Sequence, residues 1–138
     1  MIRVYVDIVG DLFHIGHLNL LKAAKSLGDY LIVGVHSDAD TASYKRTPII
    51  SEQQRYEIIR SCRYVDKVIE SAPLTITEEF IDIHKIDIIV HGDDIREAYE
   101  EQHKVAIKLG KMKYIPYTGG ISTSEIIKKI KNLKIGEF

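Results

Sequence analysis

Two histidines three positions apart, His14 and His17, have the spacing in this sequence that points most directly to chemistry. They follow an apolar run over residues 2–9 that is typical of a buried strand, and they precede residues 18–27, where apolar side chains recur at helical spacing. The unpaired N–H groups and dipole of a helix start attract anions, and Gly16 lets a ligand approach the backbone closely. The pattern therefore predicts a polyphosphate site, and a capped helix with two incidental histidines is the alternative.

The composition is that of an ordinary globular protein, with 45% hydrophobic and 28% charged residues in a chain of 138. This length predicts one domain over residues 1–138. The formal net charge is −1, so we expect no nucleic-acid partner, and phosphate binding must depend on local positive groups. We expect no membrane span, because no apolar run is long enough. The single cysteine and the lack of a signal-peptide pattern favour a cytoplasmic location.

Predicted strands and helices alternate along the chain. The strands are predicted over residues 2–9, 30–35, 64–69, 87–90 and 112–115. The helices are predicted after the histidine turn, from a capping box at Ser51, from a cap within residues 75–78 through His84, over residues 97–109, and from Ser122 to about Leu133. Residues 36–40 are predicted to be a polar turn and residues 41–50 a loop. This alternation predicts an α/β fold, a Rossmann-like, doubly wound, five-stranded parallel sheet with helices on both faces.

Polar residues follow four of the five predicted strands. Ligands of such sheets gather at the carboxyl ends of the strands, so these residues are expected to meet at one rim. They are the histidine turn, Asp38 with the Lys45 loop, the Asp93–Asp94 pair, and the turn over residues 119–123. Positive groups from several segments could hold a triphosphate there and stabilise charge at its α-phosphorus.

Each of these residues also has a plainer interpretation. Ser122 and Thr123 could act only as helix caps, and the two adjacent aspartates could only satisfy a turn. Lys45 and Arg46 could be solvated loop charges. Arg55 could form only a surface ion pair. Their predicted position at one edge of one sheet favours the binding interpretation.

Three segments resemble signatures of the cytidylyltransferase family, part of the nucleotidylyltransferase superfamily marked by His-x-Gly-His. Residues 11–17 read DLFHIGH, residues 63–66 read RYVD, and residues 120–124 read GISTS. Residues 29–38 and 90–95 look most like the phosphoethanolamine and phosphocholine enzymes. The resemblance covers nearly the whole chain. It implies transfer of CMP from CTP to the phosphate of a phospho-alcohol, with release of pyrophosphate.

The resemblance also implies roles for individual residues. His14 and His17 would hold the CTP phosphates and stabilise the α-phosphoryl transition state, and Lys45 would bridge the acceptor phosphate and the α-phosphate. The implied nucleotide-binding residues are Val9, Gly10, Ile15, Gly16, Gly92, Asp94, Tyr117, Thr118, Gly120, Ile121, Ser122 and Thr123. The implied supporting residues are Asp11, Asp38, Arg55 and Asp66. Mg²⁺ would neutralise the triphosphate through phosphate oxygens and water, without a dedicated protein ligand. A homodimer is implied, with residues 63–66 near its interface.

The sequence departs from the family pattern at three places. Residues 8–11 read IVGD where the family has Gly-x-Phe-Asp, so the turn that lines the nucleotide is altered. Tyr117 replaces an arginine, which could cost about 1.5–3 kcal/mol of a charge-assisted bond. Leu74 and Glu97 stand where phosphocholine enzymes carry aromatic residues, so ethanolamine, glycerol or another phospho-alcohol is favoured over choline. An ATP-using adenylyltransferase and a nucleotide-binding domain that has lost catalysis are the alternatives.

Overall fold

The computed structural model describes residues 1–92, 100–116, 118–134 and 136–137. Its strands are β1 (Arg3–Ile8), β2 (Tyr30–Val35), β3 (Lys67–Glu70), β4 (Ile88–Gly92) and β5 (Met112–Ile115). Its helices are α1 (Ile15–Ser26), α2 (Asp38–Ala42), α3 (Glu52–Arg60), α4 (Glu78–His84), α5 (Lys104–Lys108) and α6 (Thr123–Lys131). No helix in these ranges is long and apolar enough to cross a lipid bilayer.

The five strands form one parallel sheet in the order β3-β2-β1-β4-β5. Strand β1 pairs with β2 from Arg3 opposite Tyr30 to Ile8 opposite Val35. The chain therefore builds the sheet outward from β1 in one direction and then returns to add β4 and β5 on the other side. This reversal places the topological switch point beside the carboxyl end of β1. The predicted Rossmann-like α/β fold is confirmed.

Side chains on the two faces of the sheet pack into two separate cores, as strand alternation requires. On one face, Val4 and Val6 of β1 pack with Leu21 of α1 and Ile59 of α3. On the other face, the side chains of the intervening strand positions pack with α4 and α5. This second core contains Tyr5, Ile32, Ile76, Ile81, Ile86, Ile89 and Ala106. Helices therefore cover both faces, and the rigid sheet fixes the positions of the residues at its edge.

A short helix, α2, occupies residues predicted to be a turn and the start of a loop. Ser37 caps this helix, because its Oγ accepts a hydrogen bond from the Asp40 N–H at 3.1 Å. The Thr41 hydroxyl donates to the Ser37 carbonyl at 2.8 Å. The first turn also carries Asp38 and Asp40, whose negative charges favour a helix N-terminus. These local signals outweigh the lack of an apolar period in this segment.

Three other sequence predictions need correction. Strand β3 begins at Lys67 rather than residue 64, because the Val65 N–H turns back to the Cys62 carbonyl. Ser51 precedes α3 but makes no side-chain cap bond. A helix was expected over residues 97–109, but the described part of this segment is a turn followed by the short helix α5 at Lys104–Lys108. Residues 93–99 lie outside the described ranges.

Candidate active site

A cavity of about 320 Å³ opens at the carboxyl edge of the sheet, beside the switch point. The end of β1, the first turn of α1, the loop after α2, the end of β4 and the start of α6 line it. The predicted site residues that line this cavity are Val9, Gly10, Asp11, His14, Gly16, His17, Lys45, Gly92, Thr118, Ile121, Ser122 and Thr123. The structure therefore brings together most of the residues expected at this rim.

The two histidines cap the first turn of α1 reciprocally. His14 is the N-cap residue, and its Nδ1 accepts a hydrogen bond from the Gly16 N–H at 3.0 Å. The Nδ1 of His17 accepts from the His14 N–H at 3.1 Å, and the two ring centroids lie 3.9 Å apart. Because Nδ1 accepts in each neutral ring, the proton must lie on Nε2. The helix cap and the anion site are therefore not alternatives, since capping through Nδ1 leaves each Nε2–H available to a ligand.

Both histidines favour the neutral form in the free protein. Burial lowers the pKa of His17 to about 4, and the positive charges of His14 and Lys45 act in the same direction against the opposing effect of Asp11. Burial also lowers the pKa of His14. A bound polyphosphate would favour the protonated rings and raise both pKa values. The pair therefore presents neutral N–H donors before binding and can gain positive charge as phosphates arrive.

The depressed pKa of His17 makes the stability of the fold sensitive to acid. The unfolded histidine takes up a proton near its ordinary pKa of 6.5, whereas the folded one does so only near pH 4. Stability should therefore fall as the pH drops through this window, with His17 contributing about 3 kcal/mol of the loss. Urea unfolding across the window should show this slope in the native chain and a flatter one in His17→Gln. Equal slopes in the two proteins would contradict the assignment.

Asp11 positions two other segments of the site. It is 3% exposed, and its two carboxylate oxygens accept hydrogen bonds from the N–H groups of Ile49 and Ile50, each at 2.9 Å. Its backbone carbonyl accepts from the Thr123 hydroxyl at 2.8 Å, which fixes the start of α6. Asp11 therefore holds the basic loop and the last helix against the β1 turn. This arrangement supports the positioning role expected for it.

The start of α6 faces the same cavity as the start of α1. The Ser122 Oγ accepts from the Glu125 N–H at 3.0 Å, so Ser122 is the helix N-cap. The Thr123 hydroxyl already donates to Asp11, which leaves the backbone N–H groups of the first turn as the donors suited to phosphate. Ser122 therefore caps α6, Thr123 anchors the helix start to Asp11, and both residues line the cavity.

The basic loop brings two cations to the rim of the cavity. Lys45 is exposed as a whole, yet partial burial of its ammonium group lowers its pKa, and the charge of Arg46 adds to this effect. An Arg46 Nη2 lies 3.9 Å from the Asp11 carboxylate. The positive charges of Lys45 and Arg46 repel each other, and an anion bound in the cavity would offset part of this repulsion.

Arg55 is buried, in contrast to the surface ion pair considered from the sequence. Its side chain is 0% exposed and donates to three backbone carbonyls, those of Val9, His36 and Ile50. Its Nη2 donates to Asp38 at 2.8 Å. Arg55 therefore connects the ends of β1 and β2 to the loop that carries the cations. Neither Arg55 nor Asp38 lines the cavity, so both are positioning residues.

Besides Arg55 and Asp38, three predicted residues that the structure describes do not line the cavity. Ile15 is 53% exposed, and Gly120 forms a turn with a φ of +81°. Asp66 accepts hydrogen bonds from the Leu31 N–H at 2.7 Å and the Lys25 ammonium at 2.6 Å, and it therefore joins β2, β3 and α1. Asp94 and Tyr117 lie outside the described residues, as do Asp93 and Glu97.

The structure adds residues that the sequence predictions did not include. Asp7, His36 and His91 line the cavity, as do Leu20, Thr41 and Tyr44. A periodicity signal for two of these existed, because Asp7 and His91 each follow a core residue of the same strand by two positions. These polar residues therefore continue the buried face of the sheet into the cavity.

Gly16 matters because of what its missing side chain would contact. A Cβ at this position would lie 2.8 Å from His14 Cε1 and 3.0 Å from His14 Nδ1. Gly16→Ala should therefore displace the His14 ring, while alanine, a good helix former, occupies the second position of α1. We expect at least a tenfold loss of turnover with a melting temperature close to native, because the gain in helix propensity offsets the weakened cap. Lys22→Ala on the exposed face of α1 is the control, and equal turnover in the two variants would contradict this geometry.

The fold and the cavity together define an α/β domain whose switch point carries a cavity lined by histidines, basic residues and the starts of two helices. The chain belongs to the cytidylyltransferase-like family, whose profile matches residues 11–129. It is 44% identical to ethanolamine-phosphate cytidylyltransferase of Dictyostelium discoideum, over 91% of this chain and 36% of that protein. It is 42% identical to human choline-phosphate cytidylyltransferase A, over 94% of this chain and 36% of that protein.

A solved structure of similar size matches the same fold. It is the lipopolysaccharide core biosynthesis protein from Thermoplasma volcanium, which is 33% identical with a TM-score of 0.72. The match covers 86% of this chain and 98% of that one. By contrast, this chain spans only about a third of the length of the two cytidylyltransferases, so it corresponds to one part of those proteins.

Proposed function

We propose that this chain transfers CMP from CTP to the phosphate of a small phospho-alcohol, with ethanolamine phosphate as the favoured acceptor. The products are a CDP-alcohol and pyrophosphate. The observation that carries this proposal is the reciprocal histidine cap, which leaves two Nε2–H donors at the cavity. The N-terminus of α6 lines the same cavity. Family membership and the relatives' names support the same reaction.

The proposed step is a direct displacement at the α-phosphorus of CTP. An oxygen of the acceptor phosphate forms a bond to this phosphorus, and the bond from the phosphorus to the oxygen bridging the α- and β-phosphates breaks. Pyrophosphate leaves with the electron pair of that bond. The acceptor is already an anion, so no base is needed and the protein mainly aligns the two phosphates and offsets their repulsion.

Three groups of side chains would share this work. His14 and His17 donate from Nε2 to the oxygens of the α-phosphate and the leaving group, where charge builds up in the transition state. Lys45, from the basic loop that lines the same cavity, bridges the acceptor phosphate and the α-phosphate. The first turn of α6, beginning at Ser122, receives the β- and γ-phosphates through its N–H groups.

Magnesium is proposed to enter with the triphosphate rather than to occupy a site of its own. Magnesium prefers oxygen ligands and keeps much of its water. Both carboxylate oxygens of Asp11 already accept hydrogen bonds from the Ile49 and Ile50 N–H groups. The described residues that line the cavity therefore offer no free pair of carboxylates to a metal ion. This fits an ion that is held mainly by phosphate oxygens.

The lining of the cavity favours a primary over a quaternary ammonium acceptor. A quaternary ammonium is bound best by several aromatic faces. Among the described residues that line the cavity, Tyr44 is the one tyrosine, and no phenylalanine is present. Leu74, where an aromatic residue was expected for choline, is absent from this lining. These features and the 44% identity to an ethanolamine-phosphate enzyme support ethanolamine phosphate.

Pyrophosphate release tests both the reaction and the substrates. The full chain should release pyrophosphate with Mg²⁺, CTP and ethanolamine phosphate, and more slowly with choline phosphate, glycerol 3-phosphate or sugar phosphates. ATP in place of CTP should give little product. Faster turnover with ATP would replace the proposal by an adenylyltransferase. Tight CTP binding without product from any acceptor would replace it by a binding domain.

We also propose that the protein works as a homodimer through the segment at residues 63–66. Arg63 is exposed, and its guanidinium lies 5.0 Å from the centre of the Tyr64 ring. An exposed arginine stacked on an aromatic ring is typical of residues enriched at protein interfaces. Sedimentation equilibrium should give twice the chain mass, and Arg63→Glu should shift the equilibrium toward the monomer.

A further inference from the structure

Arg46 is the second cation of the basic loop, and it lines the cavity together with Lys45. Its side chain is 41% exposed, so part of it is open to solvent. Its Nε is nevertheless buried and makes no hydrogen bond to a described residue. A buried donor without an acceptor costs free energy, and a ligand with acceptor oxygens would remove this cost. The Nε of Arg46 is therefore suited to an anion that enters the cavity.

Asp11 attracts the guanidinium of Arg46 without a hydrogen bond to it. The distance from Arg46 Nη2 to an Asp11 carboxylate oxygen is 3.9 Å, which is too long for a hydrogen bond. Both carboxylate oxygens of Asp11 already accept hydrogen bonds from the Ile49 and Ile50 N–H groups, each at 2.9 Å. The charge of Asp11 therefore keeps Arg46 at the cavity, while the guanidinium keeps its donors for another acceptor.

Asp11 also connects Arg46 to the start of α6. Its backbone carbonyl accepts a hydrogen bond from the Thr123 hydroxyl at 2.8 Å, and Ser122 and Thr123 line the same cavity as Arg46. Arg46 and the start of α6 are therefore both partners of one residue. An anion that the N–H groups of the first turn of α6 receive would lie beside the guanidinium.

The charge of Asp11 makes a cation useful at this place. Its side chain is 3% exposed and lines the cavity that the triphosphate would enter. A buried negative charge repels phosphates more strongly than an exposed one, because less water screens it. The chain also has Tyr117 where the cytidylyltransferase pattern has arginine, so one positive charge of that pattern is missing. Arg46 supplies a guanidinium to the cavity from a different segment.

We propose that Arg46 binds the β- and γ-phosphates of the nucleotide together with the first turn of α6, and so holds the pyrophosphate that leaves. A guanidinium presents its Nε–H and an Nη–H along one edge, and this pair of donors matches two phosphate oxygens. Lys45 then remains for the acceptor phosphate and the α-phosphate. The assignment of Arg46 rests on the proposed function, because it takes a nucleoside triphosphate as the ligand.

Binding of inorganic pyrophosphate to the full chain, measured by calorimetry with Mg²⁺ and without acceptor, tests this role. The native chain should bind pyrophosphate and CTP, and Arg46→Gln should weaken both by about tenfold or more. The affinity for CMP, which lacks the β- and γ-phosphates, should stay close to native. Arg60→Gln is the matched control, because Arg60 is 43% exposed and lies outside the cavity lining. Native pyrophosphate affinity in Arg46→Gln, or an equal loss for CMP and CTP, would overturn the proposal.

Arg46→Lys separates phosphate binding from simple neutralisation of Asp11. Lysine keeps the charge but lacks the two parallel donors, so this variant should recover only part of the pyrophosphate affinity that Arg46→Gln loses. Native affinity in Arg46→Lys would show that a positive charge near Asp11 is sufficient, and it would overturn the paired contact. In turnover, the KM for CTP should rise in Arg46→Gln while the KM for the acceptor stays close to native. A rise in the acceptor KM alone would assign Arg46 to the acceptor phosphate and overturn the proposal.

The role of Arg46 and the transfer reaction can fail separately. If the native chain binds pyrophosphate through Arg46 but forms no CDP-alcohol, the proposed function fails and the phosphate contact stands. If the chain forms CDP-alcohol and Arg46→Gln keeps native pyrophosphate affinity, the function stands and the contact fails. A native chain that binds neither CTP nor pyrophosphate would overturn both. Circular dichroism checks the fold of each variant, and if Arg46→Gln does not fold, the comparison of Arg46→Lys with the native chain decides.

Discussion

His14→Ala is expected to reduce turnover with CTP by about 100- to 1000-fold, the usual effect of removing one donor to a transition-state oxyanion. The substitution removes an Nε2–H from the cavity and also deletes the N-cap bond to the Gly16 N–H. The lost cap should lower the free energy of unfolding by about 1 kcal/mol. Pyrophosphate release under saturating substrates and urea unfolding measure the two effects separately.

His14→Asn distinguishes the cap from the chemistry. Asparagine is among the best N-cap residues, so this variant should recover the stability that alanine loses. Its shorter side chain cannot place a donor where Nε2 lies, so turnover should stay as low as in the alanine variant. Recovery of turnover together with stability would show that His14 acts only through the helix start, and the proposed mechanism would then fail.

Arg55→Met is expected to lower the free energy of unfolding by about 3–5 kcal/mol, because it leaves three backbone carbonyls and the partly buried Asp38 carboxylate without their donor. The guanidinium is 0% exposed and holds Asp38 together with the carbonyls of Val9, His36 and Ile50. Methionine fills part of the volume but leaves these acceptors unsatisfied. Equilibrium unfolding in urea measures the loss.

Arg60→Met is the matched control, because Arg60 lies on the same helix and also pairs with carboxylates. Its side chain is 43% exposed, and its partners Glu57 and Glu70 are on the surface. Exposed pairs contribute about 0–1 kcal/mol, so this variant should be close to native in stability. Similar losses in the two variants would indicate that α3 tolerates neither substitution and that burial of Arg55 is not the reason.

Local patterns were sufficient for the framework of this protein. The apolar period changes from strand to helix around His14, and this change places the two histidines at a helix start without any knowledge of the fold. The cap residues Thr77 and Ser122 likewise act on groups within a few positions of themselves. Such signals are readable because the interacting groups are neighbours along the chain.

Local patterns gave weaker results where two signals competed. The apolar period is absent from residues 38–42, yet Ser37 and two aspartates start a helix there. Residues 64–66 belong to the strand predicted over residues 64–69, but the backbone turns at Val65, and the Asp66 carboxylate accepts a hydrogen bond from the Leu31 N–H. In both segments the outcome depends on a hydrogen bond that periodicity does not describe.

The sequence by itself determined the alternation of strands and helices, the parallel sheet and the edge at which polar residues gather. Only the tertiary structure decided which charges are buried there. Arg55 donates to Val9, 46 positions away, and Thr123 donates to Asp11 across 112 positions. Such contacts form because strand pairing and helix packing bring distant segments together, and no local period records which polar groups will meet when they do.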